Sequence, residues 1–512
     1  MKSWRGVPVL VSVLSGLVAC GPVPEGEVEA GGAEEGGASA GDSEAAVGTA
    51  TTAEGGLVVA QGWAVCDDVA QRVRDIHPTG DSAPGELTEA NGRLIFVATD
   101  PAHGRELWVT QGAGRQTSLL KDVRPGSRGS SPASLTRVGR QVFFVANHDE
   151  FGPELWRTDG TEAGTVLVKD VRPGRAGSVP EQLTVVGDTL YFTANDGEHG
   201  RELWRTDGTA RGTVLVHHFL PGALPGPSDL GLQKLTAWAQ DLALVVYEPA
   251  SSEASLWLVD RKGRVRRLFT LRDGVFSELE PAGRQLFFTV DEGTGEADLW
   301  VTRDTPGTAS LVRHFAGDYP SHLTTLHDVV YFQAGAEGFS GEPGDVLHGG
   351  ELWRSDGTPW GTWVVRDIFP GPESSAPSHL VVVDRTLYFA AAHPLTGREL
   401  WRSDGTPWGT WLVRDVQPGP VGSHPEGLTE ETGWLFFSAS TSGRGREGWY
   451  SNGRPWDTNP LMDIALGSRD SRPASFKRSG WDVFFRASDT TGDEELWSVP
   501  FRPAGYCSAW AR

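Results

Sequence analysis

The sequence predicts an all-β protein, and three observations indicate this. Nine tryptophans recur at intervals close to 48 residues, each interval contains four short predicted strands, and the two chain ends complement each other. The predicted fold class is a single β-propeller of nine four-stranded blades, closed by an N-terminal strand that completes the last blade. The length of 512 residues exceeds what one ordinary core holds, and the 66 glycines and 33 prolines suit short strands and tight turns.

The first 19 residues have the pattern of an export signal. Lys2 and Arg5 precede the apolar run VPVLVSVLSGLVA, which is too short to be a stable transmembrane helix. The run ends in LVAC at Leu17–Cys20, which resembles the lipobox of bacterial lipoproteins. This resemblance implies cleavage after Ala19 and a diacylglyceryl group on Cys20.

Residues 20–62 are predicted to form a disordered tether. Between Gly21 and Ala60 the chain carries eight acidic residues and no Lys or Arg, and its Gly/Ala-rich composition cannot bury enough apolar surface to fold. The folded body is expected at residues 63–512. We therefore expect an exported protein, anchored at the cell envelope (at the outer membrane) through its N-terminal lipid alone.

The tryptophan that follows Glu-Leu, or its equivalent, marks the repeat. Gaps between successive copies are 43, 48 or 53 residues, and the copies are Trp108, Trp156, Trp204, Trp257, Trp300, Trp353, Trp401, Trp449 and Trp497. The thirteen residues ELWRSDGTPWGTW occur twice without change, at 351–363 and 399–411. Self-similarity at this period is typical of propeller blades.

One unit, Pro132–Gly174, divides into four strands and a link. ASLTRVG, RQVFFVAN, PELWRT and VLVKDV read as strands, DGTEAGT as a hairpin turn, and RPGRAGSVP as the link. Second strands such as VFFVA and LYFTA are apolar on both faces, which fits blades that stack face to face. The motif tryptophan is predicted to fill the space between neighbouring blades.

These units resemble the bacterial ELWxxDGT repeat family, from about residue 80 to the end of the chain. The resemblance implies a propeller-like repeat architecture. The Asp-Gly-Thr turn also resembles the Asp-box hairpin of sialidase propellers, which is structural there. A structural role is therefore expected for Asp159, Asp207, Asp356 and Asp404.

The chain ends predict how the ring closes. The ninth unit has no fourth strand, whereas residues 69–82 match the fourth strand and link at residues 165–178. With Cys20 assigned to lipid, Cys66 and Cys507 remain beside these two ends, and they are predicted to form a disulfide. Two alternatives stay open: eight blades, if unit Asp229–Leu271 is a distorted insertion, or two smaller propellers.

No HExxH, P-loop, GxSxG, CxxC or EF-hand motif is present, so an enzyme is the less expected class and no cofactor is predicted. The net charge of -22 argues against a nucleic-acid partner.

Two candidate sites remain. Loops between second and third strands place a histidine near acids and an arginine, either as solvated loops or as a ligand or metal site: His103, His148, His199, His348 and His393.

The second candidate is a set of tryptophans that follow proline in three successive hairpins, at Trp360, Trp408 and Trp456. They could stack on sugars or anchor a protein, or each indole could pack on the neighbouring hairpin. The predicted function is a binding or scaffolding module whose partner is a glycan or surface protein. The alternatives are a polymer-acting glycosidase or lyase and a purely structural envelope protein. The sequence leaves the oligomeric state and metal content open.

Overall fold

A computed structural model of the chain describes residues 50–51, 57–58, 63–66, 69–112, 117–219, 231–248, 251–272, 274–291, 293, 296–316, 319–335, 349–503 and 507. The chain divides into two units, Met1–Ala60 and Gln61–Arg512. In the first unit Ala50–Thr51 pairs antiparallel with Leu57–Val58. The predicted signal peptide, Cys20 and most of the predicted tether lie outside the described residues.

The second unit contains nine antiparallel sheets, here called blades 1 to 9 in chain order. Their first strands are Gly85–Ala90, Ala133–Val138, Glu181–Val186, Leu232–Trp238, Val275–Ala282, Ser321–Leu326, Ser378–Val383, Glu426–Glu431 and Ala474–Ser479. Their second strands are Arg93–Asp100, Gln141–His148, Thr189–Asn195, Asp241–Glu248, Gln285–Asp291, Val329–Ala334, Thr386–His393, Trp434–Thr441 and Asp482–Ser488.

The third and fourth strands complete each blade. The third strands are Gly104–Thr110, Gly152–Thr158, Arg201–Thr206, Glu253–Val259, Glu296–Thr302, Glu351–Ser355, Gly397–Ser403, Gly445–Ser451 and Glu494–Pro503. The fourth strands of blades 1 to 8 are Ser118–Lys121, Val166–Leu167, Val214–His217, Val265–Leu271, Ser310–Ala316, Trp363–Arg366, Trp411–Arg414 and Thr458–Pro460. Pro455–Asp457 forms a 3-10 turn, and among the described residues no helix is long and apolar enough to cross a bilayer.

The nine blades form one closed ring. Each first strand contacts the first strand of the next blade, and the first strand of blade 9 contacts that of blade 1. The first strands are therefore innermost and the fourth strands outermost. Blade 4 is a complete four-stranded sheet, so the prediction of nine blades in a single ring is confirmed and the eight-blade and two-propeller alternatives are wrong.

The core lies between blades, as the apolar second strands predict. The motif tryptophan is paired across its sheet with a buried apolar residue, for example Trp156 with Phe144. Both side chains pack with Ile95, Leu107 and other residues of blade 1. Stacking of this kind repeats around the ring, because each blade has two apolar faces and each must be covered.

The last blade combines both ends of the chain, as the sequence predicts. Gln71–Arg74 pairs with the third strand of blade 9 and forms its fourth strand, and Trp63–Val65 pairs with the C-terminal end of that same strand. Cys66 and Cys507 form a disulfide across a sequence separation of 441 residues. The predicted closing strand and the predicted disulfide are both confirmed.

Candidate functional site

The alternating strands give the ring two distinct faces. The turns between first and second strands and the hairpins between third and fourth strands lie together on one side, called here the hairpin face. The loops between second and third strands and the links between blades lie on the other side, called here the funnel face. The predicted tryptophans occupy the hairpin face, and the described predicted histidines occupy the funnel face.

Each Asp-Gly-Thr hairpin is held by its own hydrogen bonds. In blade 7 the Asp404 Oδ1 atom accepts bonds from the backbone N–H (2.9 Å) and the hydroxyl (2.7 Å) of Thr406. The Thr406 hydroxyl accepts the N–H of Gly409 at 2.9 Å, and its carbonyl accepts the hydroxyl of Thr410 at 2.7 Å. Hairpins at Asp159, Asp207 and Asp356 repeat this set, so the aspartate locks a turn.

Two glycines of the hairpin are required by sterics. A Cβ atom on Gly409 would lie 1.9 Å from the Asp404 carboxylate, which occupies that space. Gly405 has φ +90°, and a Cβ there would lie 2.0 Å from the hydroxyl of Tyr331 in the preceding blade. The repeated motif is therefore explained by turn geometry and by close contact between neighbouring blades.

The three predicted tryptophans, called here the tryptophan row, project into solvent. Trp360 is 96% exposed, Trp408 is 94% exposed and Trp456 is 70% exposed. They stand at equivalent positions of the hairpins in blades 6, 7 and 8, which are consecutive in the ring. At this exposure the indoles of Trp360 and Trp408 do not pack on a neighbouring hairpin, and most of the Trp456 side chain is open to solvent. The structure therefore brings the three residues onto one side of three adjacent blades.

The backbone that carries the row is clamped by arginines of the preceding blade. Arg354 of blade 6 donates to the carbonyl of Gly405 at 3.5 Å, and Arg366 donates to the carbonyl of Thr410, at the two ends of the blade 7 hairpin. One repeat later, Arg402 donates to Gly453 at 3.2 Å and Arg414 to Thr458. Each tryptophan of the row, with its hairpin, is called here a station. These bonds fix the stations of Trp408 and Trp456 relative to the blade that precedes each of them.

Two further tryptophans follow the row residues of blades 6 and 7 by three positions in the chain. Trp363 and Trp411 open the fourth strands of blades 6 and 7 and are half-buried. The guanidinium of Arg354 lies 5.2 Å from the ring centre of Trp363, and that of Arg402 lies 4.9 Å from Trp411. Each of these arginines therefore contacts an indole of its own blade and a hairpin carbonyl of the next blade, which ties the two blades together.

Two of the predicted histidines pair with an aspartate of their own loop. The Nδ1 atom of His103 lies 2.8 Å from Asp100, and that of His199 lies 2.7 Å from Asp196. The hydrogen bond to the neighbouring carboxylate raises the pKa of both imidazoles. His199 also has a ring neighbour that sequence reasoning missed, since His218 lies 5.2 Å away, with its Nδ1 atom 2.6 Å from Glu202.

The other predicted histidines contact aromatic rings. His148 stacks on Phe151 at 4.8 Å, and His393 lies 6.0 Å from Trp401. Burial lowers the pKa of His393. His348 lies outside the described residues. Within the described ranges, no group of three or more His, Cys, Asp or Glu side chains is placed to hold a metal ion.

The funnel-face loops are fixed by backbone contact with the links. A Cβ on Gly152 would lie 2.4 Å from the carbonyl of Arg175, and one on Gly177 would lie 2.5 Å from the carbonyl of Pro153. Equivalent contacts join Gly104 with Gly129 and Gly397 with Gly422. These glycines let a loop and a link approach directly, which explains the recurrent Gly in both.

A carboxylate that sequence reasoning passed over lies inside this junction. The glutamate of Glu-Leu-Trp is fully buried, and in blade 2 Glu154 accepts the Ser178 hydroxyl at 2.6 Å and the backbone N–H groups of Ser178 (2.8 Å) and Arg172 (3.1 Å). The available signal is a constant spacing: serine follows glutamate by 24 residues at 106/130, 154/178, 351/375, 399/423 and 447/471. In blade 9 the partner of Glu495 is Ser82, at 2.7 Å.

Burial changes the acidity of these carboxyls. Desolvation raises the pKa of Glu351, Glu399 and Glu447 to about 7. The hydrogen bonds to these carboxyls favour the charged form and lower the pKa, but the effect of burial is larger. The side chains are enclosed by the loop and link they join. Their perturbed acidity therefore reports a structural brace, and it provides no exposed acid or base for catalysis.

A cavity of about 670 Å³ opens among the innermost strands of blades 8, 9, 1 and 2. Its walls include charged residues of both signs, and these pair with each other: Arg137 with Glu89, and Lys477 with Glu431 at 2.9 Å. The pairing neutralises most of the charge that faces the cavity. This cavity therefore offers little excess charge to an ionic ligand.

No family model matches the sequence, and no curated protein matches it. A solved structure from a study of two prolyl endopeptidases matches with a TM-score of 0.40 and 14% identity, over 80% of this chain and 55% of that one. The propeller domain of the Trilobed protease from Pyrococcus furiosus matches with a TM-score of 0.35 and 10% identity, over 62% and 94% of the two chains. An acylaminoacyl peptidase of Pyrococcus horikoshii matches with a TM-score of 0.36 and 11% identity, over 70% of this chain and 57% of that one. This chain spans about half of the prolyl endopeptidase chain it matches, and likenesses at this level carry no argument about activity.

Proposed function

We propose that the protein is an exported, lipid-anchored binding module and that the tryptophan row is its recognition surface. The observation that carries the proposal is the near-complete exposure of Trp360 and Trp408, with Trp456 at 70%, on three consecutive blades. An exposed indole keeps its apolar surface in water, which is unfavourable. A bound partner that covers the indole removes this surface from water and so gains free energy of binding. Aromatic residues of this kind dominate the energetics of recognition surfaces.

The geometry supports binding with little rearrangement. The hairpins are held by internal hydrogen bonds and, in blades 7 and 8, by arginines from the preceding blade. A surface that is already ordered avoids part of the entropic cost of association. The partner expected from the chemistry of indoles is a glycan or a protein of the cell surface.

The test is the triple variant Trp360→Ala, Trp408→Ala and Trp456→Ala in binding to isolated cell envelopes and to a glycan array. Binding is expected to fall at least tenfold, while the thermal midpoint stays within about 2 °C because the indoles contribute little to the core. Ala163 occupies this position in the blade 2 hairpin, which has the same hydrogen bonds, so alanine is compatible with the turn.

The matched control removes exposed apolar surface from the opposite face. Leu395 is 75% exposed and Val421 is 71% exposed, and both lie on the funnel face. The double variant Leu395→Ala and Val421→Ala should bind as the unaltered protein does. Unchanged binding by the tryptophan variant, with binding lost in the control, would assign recognition to the funnel face.

The envelope location is part of the same proposal and rests on the N-terminal residues. LVAC at Leu17–Cys20 supports lipidation of Cys20, and the apolar run before it supports export. Detergent-phase partitioning of the full chain should be lost in Cys20→Ser. Equal partitioning of both proteins into the detergent phase would show that Cys20 does not anchor the protein.

A further inference from the structure

We propose that the ligand of the tryptophan row is a linear polysaccharide that lies across neighbouring hairpins and stacks on two or three indoles at once. This inference rests on the proposed function and gives the chemical class of its ligand. Three features of the hairpin face carry it: the isolation of each indole, the fixed repeat of the stations and the charge around them.

The indoles are separate platforms in polar surroundings. Trp360 and Trp408 each lie between a proline and a glycine, two residues after an exposed threonine. The core of a protein interface is a continuous, well-packed apolar patch around its aromatic anchors. A sugar ring needs less, because one flat face presents C–H groups to the indole while its hydroxyls stay hydrated. Isolated indoles therefore fit sugars better than they fit a protein surface.

The stations repeat with the blades. Blades 6 and 7 carry identical thirteen-residue segments with the same turn hydrogen bonds. Arginine clamps tie the hairpin of blade 7 to blade 6 and that of blade 8 to blade 7. The intervals between the stations are thus set by the framework. A polymer of identical units presents the same face again and again along its length, so one chain can meet several stations.

The charge on this face argues against insertion of the indoles into a lipid surface. Asp356 and Asp404 are exposed in the hairpins that carry Trp360 and Trp408, and the whole chain has a net charge of -22. Anionic membranes attract basic segments and repel acidic ones. Neutral sugar rings are indifferent to this charge, so a polysaccharide is favoured over a bilayer.

Joint engagement of stations predicts how affinity depends on ligand length. A second contact made by the same chain can raise affinity by about 10²–10⁴-fold when the spacing fits. The probe is envelope polysaccharide from the producing cells, partly hydrolysed and separated by size, with binding measured by calorimetry. Affinity should rise at least tenfold once fragments are long enough to reach a second station.

Single variants locate the effect. Loss of the central residue in Trp408→Ala separates the two remaining stations, whereas Trp360→Ala and Trp456→Ala each leave an adjacent pair. Long fragments should therefore bind at least threefold more weakly to Trp408→Ala than to either end variant, while the shortest fragments bind all three single variants equally. Circular dichroism of each variant confirms the fold.

The outcomes separate this inference from the proposed function. Affinity that is independent of length, or equal losses in the three single variants on long fragments, would overturn the polysaccharide bridge. Binding that depends on the row but is abolished by protease treatment of the envelopes, or that occurs on phosphatidylglycerol vesicles, would also overturn it and leave the row as a recognition surface. Unchanged binding by the triple variant would remove the proposed function itself.

Discussion

At the scale of the residue, the buried glutamate of Glu-Leu-Trp is the most informative side chain. Its carboxyl joins a funnel-face loop to the link that leads into the next blade, through a serine and several backbone N–H groups. In the sequence a charged residue beside Leu-Trp suggests a solvent-facing position of a strand. The one sequence feature that indicates a buried glutamate is the serine 24 residues later, and this constant spacing becomes visible when many units are compared.

These carboxyls predict how stability depends on pH. Glu351, Glu399 and Glu447 have pKa values of about 7 in the folded protein against 4.5 when unfolded. Between these values the folded state binds more protons than the unfolded state, so the free energy of unfolding falls as pH rises from 4.5 to 7. The loss is on the order of 1–3 kcal/mol per carboxyl.

The measurement is the thermal midpoint of the unaltered protein and of the triple variant Glu351→Gln, Glu399→Gln and Glu447→Gln at pH 5 and pH 8. The unaltered protein should lose more stability on this pH change than the variant, because Gln does not titrate. Glu198→Gln, at an exposed loop position, is the control. A pH response that is equal in the unaltered protein and the triple variant would show that the buried carboxyls do not produce it.

At the scale of the element, period and composition made the blade predictable. Four strands in 48 residues, with second strands apolar on both faces, gave the correct element order for all nine units. The ends of strands were less predictable. VLVKDV reads as one fourth strand in blade 2, yet the strand is Val166–Leu167, since a β-ladder ends where backbone pairing ends.

The candidate site was predictable in position and unpredictable in orientation. A Pro-Trp turn at a constant period locates the row, but the sequence cannot say whether an indole packs locally or projects, since both conformations suit the turn. The histidine loops show the same limit. Their residue types left open whether they are solvated loops or a ligand or metal site. The structure gives His103 and His199 a carboxylate partner each, and His148 and His393 an aromatic partner each.

At the scale of the whole molecule, the ring depends on joining its two ends. Gln71–Arg74 supplies the outer strand of blade 9, Ser82 reaches Glu495, and Cys66 is bonded to Cys507. Together these contacts leave no open edge between the first and last blades. The closure was predictable because the missing strand and the surplus strand are both visible in the sequence.

The disulfide should contribute strongly to stability. Closing a loop of 441 residues corresponds to about 6 kcal/mol on the chain-entropy relation. The variant Cys66→Ser, Cys507→Ser should keep its β-sheet content, since the strand pairing remains, and should unfold at a lower temperature. Reductant should lower the thermal midpoint of the unaltered protein and leave the variant unchanged. A midpoint that reductant does not alter in either protein would remove this role.

The central claim, that the hairpin face and its tryptophan row make the functional contact, is tested most directly by oxidative footprinting. Hydroxyl-radical labelling of the protein, free and bound to isolated cell envelopes, measures the solvent exposure of individual side chains in both states. We predict that Trp360, Trp408 and Trp456 lose at least half of their labelling on binding, while His103 and Leu395 on the funnel face keep theirs. Protection of His103 and Leu395, with the three tryptophans still fully labelled, would contradict the claim.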